Sequence, residues 1–277
     1  MLRSILVALD ATQASSQAQQ MALEMAKRLD CQITGLAILD RAHITSPTAV
    51  GIGGMAYKQH RDQVKLEEAK SFLQRLEKDF EQSCGAIGAA CSVIEAEGVP
   101  HKLIERESGR HDLLVIGKDT DFHFDVDPST ADTVQRLLRE NSRPLLVCPE
   151  QASSEGPVLV TYDGSVRSSR TLHMLILLGH ARGRPVHVLS VATNHQTAEE
   201  RARYPTELFA KHGYQATPHG IGSHADPADI VLAEAEALGA TLITLGASGH
   251  SPLHDFFLGS TTQRLLNSCP CVLFVHH

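Results

Sequence analysis

Gly246-x2-Gly249-x9-Gly259-Ser260-Thr261 lies between two hydrophobic runs, Thr241-Leu-Ile-Thr-Leu245 and Cys271-Val-Leu-Phe-Val275. The order reads as strand, glycine-rich loop, helix start, strand. Glycines let a backbone approach a ligand closely and take positive φ. The unpaired N–H groups at a helix start, at the positive end of its dipole, favour an anion. Ser260 and Thr261 add hydroxyl donors, so the block is a candidate phosphate cradle. Paired glycines after a strand also occur where they only relieve strain. The Gly-Ser-Thr at a fixed gap, with strands on both sides, favours the phosphate reading.

The elements that must position this loop recur, because the chain contains the same pattern twice. Arg3-Ser-Ile-Leu-Val-Ala-Leu-Asp10 matches Gly156-Pro-Val-Leu-Val-Thr-Tyr-Asp163. Asp112-Leu-Leu-Val-Ile-Gly117 matches Thr241-Leu-Ile-Thr-Leu-Gly246, and Thr133-Val-Gln-Arg-Leu-Leu138 matches Thr261-Thr-Gln-Arg-Leu-Leu266. The last matched run is Arg143-Pro-Leu-Leu-Val-Cys148 with Cys269-Pro-Cys-Val-Leu-Phe274. Matched positions lie further apart near the start of the chain, so the first half carries an early insertion. Residues 40–59, with Pro47, Gly51, Gly53 and Gly54, are that insertion and read as a flexible loop, either a lid or partner contact or simply a mobile surface loop.

The expected strands are 3–9, 32–39, 90–95, 112–117 and 144–148, then 157–162, 185–191, 215–220, 241–246 and 271–275. The expected helices are 13–29, 60–82, 99–109 and 131–141, then 166–181, 196–212, 227–238 and 260–267. Continuous apolar strands alternating with helices predict an α/β chain: two tandem five-stranded parallel-sheet domains, helices on both faces. The expected domains are 1–149 and 157–277. Ligands in such sheets sit beyond the carboxyl ends of the strands, where strand order reverses. Asp10, Asp163, Gly117 and Gly246 all fall there.

With 277 residues and 42% hydrophobic content, the chain has ample material for two cores. A net charge of −7 argues against nucleic acid or an anionic membrane surface as partner. No run approaches the ~20 apolar residues of a membrane span. The N-terminal apolar run ends at Asp10 and reads as a strand rather than a signal sequence. Six cysteines, mostly in apolar runs, read as buried thiols of a reduced, cytoplasmic protein.

At this point the sequence resembles the universal stress protein family in its tandem form, over nearly the whole chain. The glycine spacing above is that family's ATP-binding signature, complete in the second half. The resemblance implies a Rossmann-like, adenine-nucleotide-binding fold holding ATP, AMP or ADP at the carboxyl edge, with Mg2+ expected to bridge the phosphates if ATP binds. Carried over by position, Asp163 contacts adenine or ribose and Val191 offers its backbone to adenine. Leu245 and Gly246 flank the ribose, and Gly249, Gly259, Ser260 and Thr261 hold the phosphates. The bland reading of an Asp ending a strand is a turn or N-cap residue, and Asp10 fits it. The family pairs domains through their last strands, here 143–149 and 269–276. That pairing makes an intramolecular pseudo-dimer or, between chains, a homodimer, and both stay open.

The halves differ. In the first, Thr120 stands at the second glycine and Ala131-Asp132 at the Gly-Ser pair. Asp119, Asp121, Asp125 and Asp127 crowd the loop, where carboxylates compete with phosphate for the same donors. The first half is therefore expected to bind nucleotide weakly or not at all. The acidic loop and its His123 also suggest a metal site, but without the glycine and terminal Glu of an EF-hand an exposed acidic loop is favoured. His250 and His254 read as exposed loop histidines ahead of phosphate or, with Asp255, metal contacts. Asp226 reads as the N-cap of a helix starting at Pro227. The terminal His276-His277 pair is assigned no function.

Function is thus expected to be nucleotide binding in stress response or signalling, read out through conformation or contact with an unidentified protein partner. The alternatives are a slow ATP hydrolase and a nucleotide-free structural member. Catalysis is not expected, because no lysine follows the loop glycines as in a P-loop and no S-G-G-x-D-S loop is present.

Overall fold

A computed structural model describes residues 2–46, 55–120, 122, 133–246 and 259–277. The first half runs β1 (Ser4–Leu9), α1 (Gln13–Leu29), β2 (Gln32–Leu39), α2 (Arg41–Ile44), α3 (Met55–Ile87), β3 (Cys91–Glu97), α4 (Pro100–Ser108), β4 (Leu113–Gly117), α5 (Thr133–Glu140) and β5 (Leu145–Cys148). The second runs β6 (Val158–Thr161), α6 (Val166–Leu178), β7 (Val186–Ala192), α7 (His195–Lys211), β8 (Ala216–Gly222), α8 (Pro227–Leu238), β9 (Leu242–Gly246), α9 (Ser260–Ser268) and β10 (Val272–His276).

The strands form one ten-stranded sheet in the order β3-β2-β1-β4-β5-β10-β9-β6-β7-β8. All neighbours are parallel except β5 and β10, which pair antiparallel with Leu145 opposite Val275 and Val147 opposite Leu273. The last strands of the two halves thus meet within one chain. Those strands expose no edge, and the free edges are β3 and β8. Pro218 lies inside β8, where a missing N–H is tolerated because the strand is an edge.

One apolar layer packs α1, α3, α6 and α7 against one face through Val7, Met21, Phe80, Leu172 and Phe209. The other packs helices on the opposite face through Leu6, Ile104, Val134, Val231 and Leu265. Local chemistry sets the helix starts. Thr12, Ser165 and Asn194 each accept a hydrogen bond from the backbone three residues on, and Asp226 accepts from Ala228 N at 2.8 Å with Pro227 at the first helical position.

The insertion is a correction. Residues 40–59 are not all loop: α2 lies within them, and α3 begins at Met55 rather than residue 60. Lys58 explains it, bridging the nearly buried Asp62 at 2.6 Å and donating to Thr45 O at 3.3 Å, which ties α3's first turns to the end of α2. Residues 47–54 of the insertion lie outside the described residues.

A second tie joins the halves. Arg28 of α1 donates from Nη2 to His180 O at 3.2 Å, with His180 Nδ1 at 3.5 Å. His180 is 1% exposed. Burial first, then the charges of Arg184 and Arg28, push its pKa down to about 3. A depressed histidine is neutral in the fold, and the unfolded chain binds the extra proton. Its contribution is present above the ordinary value of about 6.5 and is lost as pH falls toward about 3. Urea midpoints measured from pH 7.5 down to 4.5 are therefore expected to fall less steeply for His180→Asn than for the parent; parallel slopes would remove His180 from the account.

Candidate functional site

Strand order reverses between β1 and β4 in the first half and between β6 and β9 in the second. Asp163 follows β6 and Gly246 ends β9, so the fold brings them to one crevice. Asp163 is exposed, and its Oδ1 accepts from Ser165 N at 2.9 Å and Ser168 Oγ at 2.7 Å. The carboxylate therefore folds the turn onto α6 and still faces solvent. Val191 is half-buried in β7, which runs one residue further, to Ala192. Leu245 is buried and Gly246 half-buried, paired with Val275 and His276 of β10.

Gly246 has a structural duty of its own. A Cβ there would lie 2.9 Å from Ser168 N and 3.1 Å from Arg167 C; at the matching Gly117, a Cβ would lie 2.4 Å from Ser15 N. Both glycines let the first turn of a helix rest on the strand end, α6 at Gly246 and α1 at Gly117, so neither by itself reports a ligand. Gly246→Ala is expected to lose roughly 1–3 kcal/mol, the usual range for overpacking, seen as a lower urea midpoint without any nucleotide present.

Gly259 is the N-cap of α9, at φ −57 and ψ 144, and makes no side-chain cap bond. The caps of α1, α6, α7 and α8 are occupied by their own side chains. Ser260 is exposed and Thr261 half-buried on α9's first turn, beside N–H groups that a helix leaves unpaired. Arg264 orients this helix by pairing with Asp226 at 2.9 Å and with Asp229, both at the start of α8. Gly249, His250, His254 and Asp255 lie outside the described residues.

The first-half crevice is filled. Asp10 is 2% exposed; its Oδ1 accepts from Thr12 N and its Oδ2 from Phe122 N at 3.5 Å. Asp10 is thus a turn residue, as its bland reading expected, and Thr12 is the N-cap. Phe122 is 1% exposed, belongs to the layer containing Ala8, Ile116 and Val134, and has φ 61. That left-handed backbone is strained for a bulky side chain and persists only where packing holds it. Thr120, at the position of the second glycine, is fully buried. Sequence reasoning weighed the acids of this loop and missed Phe122; an aromatic set between aspartates was the available signal. Asp119 is described, whereas Asp121, His123, Asp125, Asp127 and Asp132 lie outside the described residues.

A cavity of about 450 Å3 shares the Gly164–Val166 turn, but its other walls are the outer face of α6, including Arg170 and His173, and His276. Asp163, Gly246 and Gly259 do not line it, although it adjoins the same edge through Gly164 and through His276, the partner of Gly246. Among the described residues, no three His, Cys, Asp or Glu side chains are grouped to hold a metal ion, and no helix is long and apolar enough to cross a membrane.

The family model described as "Universal stress protein family" matches residues 1–147 and 156–277. A universal stress protein of Synechocystis, Slr1230, is 25% identical over 288 residues, covering 99% of this chain and all of the relative. Among solved structures, a universal stress protein from Archaeoglobus fulgidus superposes with a TM-score of 0.66 at 19% identity, covering 99% of this chain and 97% of that one. A universal stress protein from Pseudomonas aeruginosa gives 0.60 at 17%, covering 99% and 93%. These structures share the fold.

Proposed function

Starting from the fact that this chain belongs to the universal stress protein family, we propose that its second half binds an adenine nucleotide and its first half does not. The observation that carries this reading is the asymmetry of the two crevices. In the second, Gly259 supplies no side-chain acceptor to α9's first N–H groups, none is seen among the described residues, and Asp163 is exposed. In the first, Phe122 and Thr120 fill the corresponding space and Asp10 is buried beneath them.

In this reading Asp163 and the Val191 backbone meet the base and ribose, and Leu245 and Gly246 flank the sugar. Gly249, Gly259, Ser260 and Thr261 hold the phosphates, through the anion preference of a helix start. A magnesium ion accompanying ATP would be held chiefly by the phosphates. The output is a change of shape or of protein contacts, and turnover is expected to be slow. Asp163 follows β6 and Gly246 ends β9, and β9 lies next to the joining strand β10, so a nucleotide held there would lie close to the seam between the halves.

Calorimetric titration of nucleotide-stripped protein with ATP and Mg2+ tests the proposal. One site per chain is expected. Two sites of similar affinity would defeat the asymmetry, and no heat at high protein concentration would defeat nucleotide binding itself.

A further inference from the structure

The outward face of α6 carries apolar side chains where a surface helix ordinarily turns polar ones to water. Leu172, Leu175 and Ile176 already bury its inner face in the core. On the other side Val166, Arg170, His173, Met174 and Leu177 recur at the spacing of a single helix face. Val166 is 67% exposed and Leu177 58%. These five residues, with His276 at the end of β10, line the cavity of about 450 Å3 beside the turn after Asp163. That volume suits a small organic ligand, and no Asp or Glu lines the cavity.

Three polar groups of this cavity have bonding capacity to spare. Among the described residues no carboxylate pairs with the Arg170 guanidinium. His173 Nδ1 lies 2.7 Å from Ser169 O and so carries the proton, which leaves Nε2 for an outside group. His276 Nδ1 is buried and has no hydrogen-bond partner. A buried polar atom in that state destabilises the fold until a partner is supplied. Burial first, then His277, Arg170 and Arg143, push the His276 pKa down to about 4. The arginine charges that oppose a proton on His276 attract an anion to the same place. That attraction is local, because the chain as a whole carries −7.

We infer that this cavity binds an aliphatic carboxylate of the medium-chain fatty acid class, its head at Arg170 and His276 and its chain along Val166, Met174 and Leu177. The planar guanidinium fork matches a carboxylate, and the neutral His276 ring can donate an N–H from Nδ1. The chain covers apolar surface that water otherwise meets, which supplies the hydrophobic part of the affinity. Inorganic phosphate would use the same cation but leave the apolar wall wet. A neutral alcohol would cover the wall but leave Arg170 unpaired. A carboxylate with an apolar tail uses both, and the absence of lining acids leaves its charge unopposed.

Calorimetric titration of the nucleotide-stripped full chain with sodium octanoate, kept below micelle-forming concentrations, tests this. One saturable site per chain is expected. Hexanoate should bind roughly tenfold more weakly, since two buried methylenes are lost. 1-Octanol and inorganic phosphate should each fall at least about tenfold below octanoate, for want of the charged bond or of the tail. Arg170→Gln should weaken octanoate by about the same factor, and Arg170→Lys should recover part of it. Arg170 and Leu177 are exposed, so Arg170→Gln and Leu177→Ser should keep the parent's melting temperature while both lose octanoate affinity. Absence of saturable octanoate binding would overturn the proposal. So would octanol or phosphate binding as tightly as octanoate, or unchanged octanoate affinity in Arg170→Gln. Every titration is made without nucleotide, so its result stands whether or not the second half binds one.

Discussion

Gly259→Asp is expected to fold normally and to lose ATP. Gly259 already has a φ and ψ that any residue can adopt, and it caps α9 without a side chain. An aspartate there accepts from the free N–H groups of α9's first turn, which improves a glycine cap by a few tenths of a kcal/mol. The same carboxylate occupies the donors proposed for phosphate and sets like charge against it, which costs several kcal/mol. Since about 1.4 kcal/mol is tenfold in affinity, binding should weaken roughly 100-fold or more. Gly259→Asn separates cap from charge: it fills the same donors without repulsion and should fall between parent and Asp. The decisive result is calorimetric. Unchanged ATP affinity in a folded Gly259→Asp protein would remove α9's N-terminus from the site.

Phe122→Ala is expected to lower stability by about 3–5 kcal/mol, the range for truncating a buried aromatic. The ring is 1% exposed, and the strained backbone beneath it is justified only by that packing. Alanine keeps the strain and loses the packing, so the loss should sit toward the upper end. No nucleotide site should appear in its place, because Asp119 and the acids that follow it still oppose phosphate. Urea unfolding read by circular dichroism measures the loss. A drop below about 1 kcal/mol would mean that the crevice relaxes around the deletion and that Phe122 does not close it. A second ATP site in the variant would show that Phe122 alone keeps the first half silent.

Much of the molecule was legible because its signals are local. Strands such as 4–9 and 242–246 are mainly apolar runs, and Asp226 announces a helix start just ahead of Pro227. The repeat fixed the order of elements, and the glycine spacing located a candidate edge because topology alone places strand ends together. Where local signals were weak, the reading failed. The first turns of α3 owe their helix to the contacts of Lys58 with Asp62 and Thr45, and no spacing in residues 40–59 reveals those.

The sequence by itself determined the α/β alternation, the doubling of the chain and the residues that gather at its carboxyl edges, since each depends on neighbours within one turn or one strand. Tertiary structure alone decided that β5 pairs with β10 inside one chain, that Gly246 must be glycine to admit α6, that His180 lies beneath Arg28, and that Phe122 fills the first crevice. Each of these is a contact between residues far apart in the chain. Its energy comes from packing and desolvation on closure, and no local pattern carries that information.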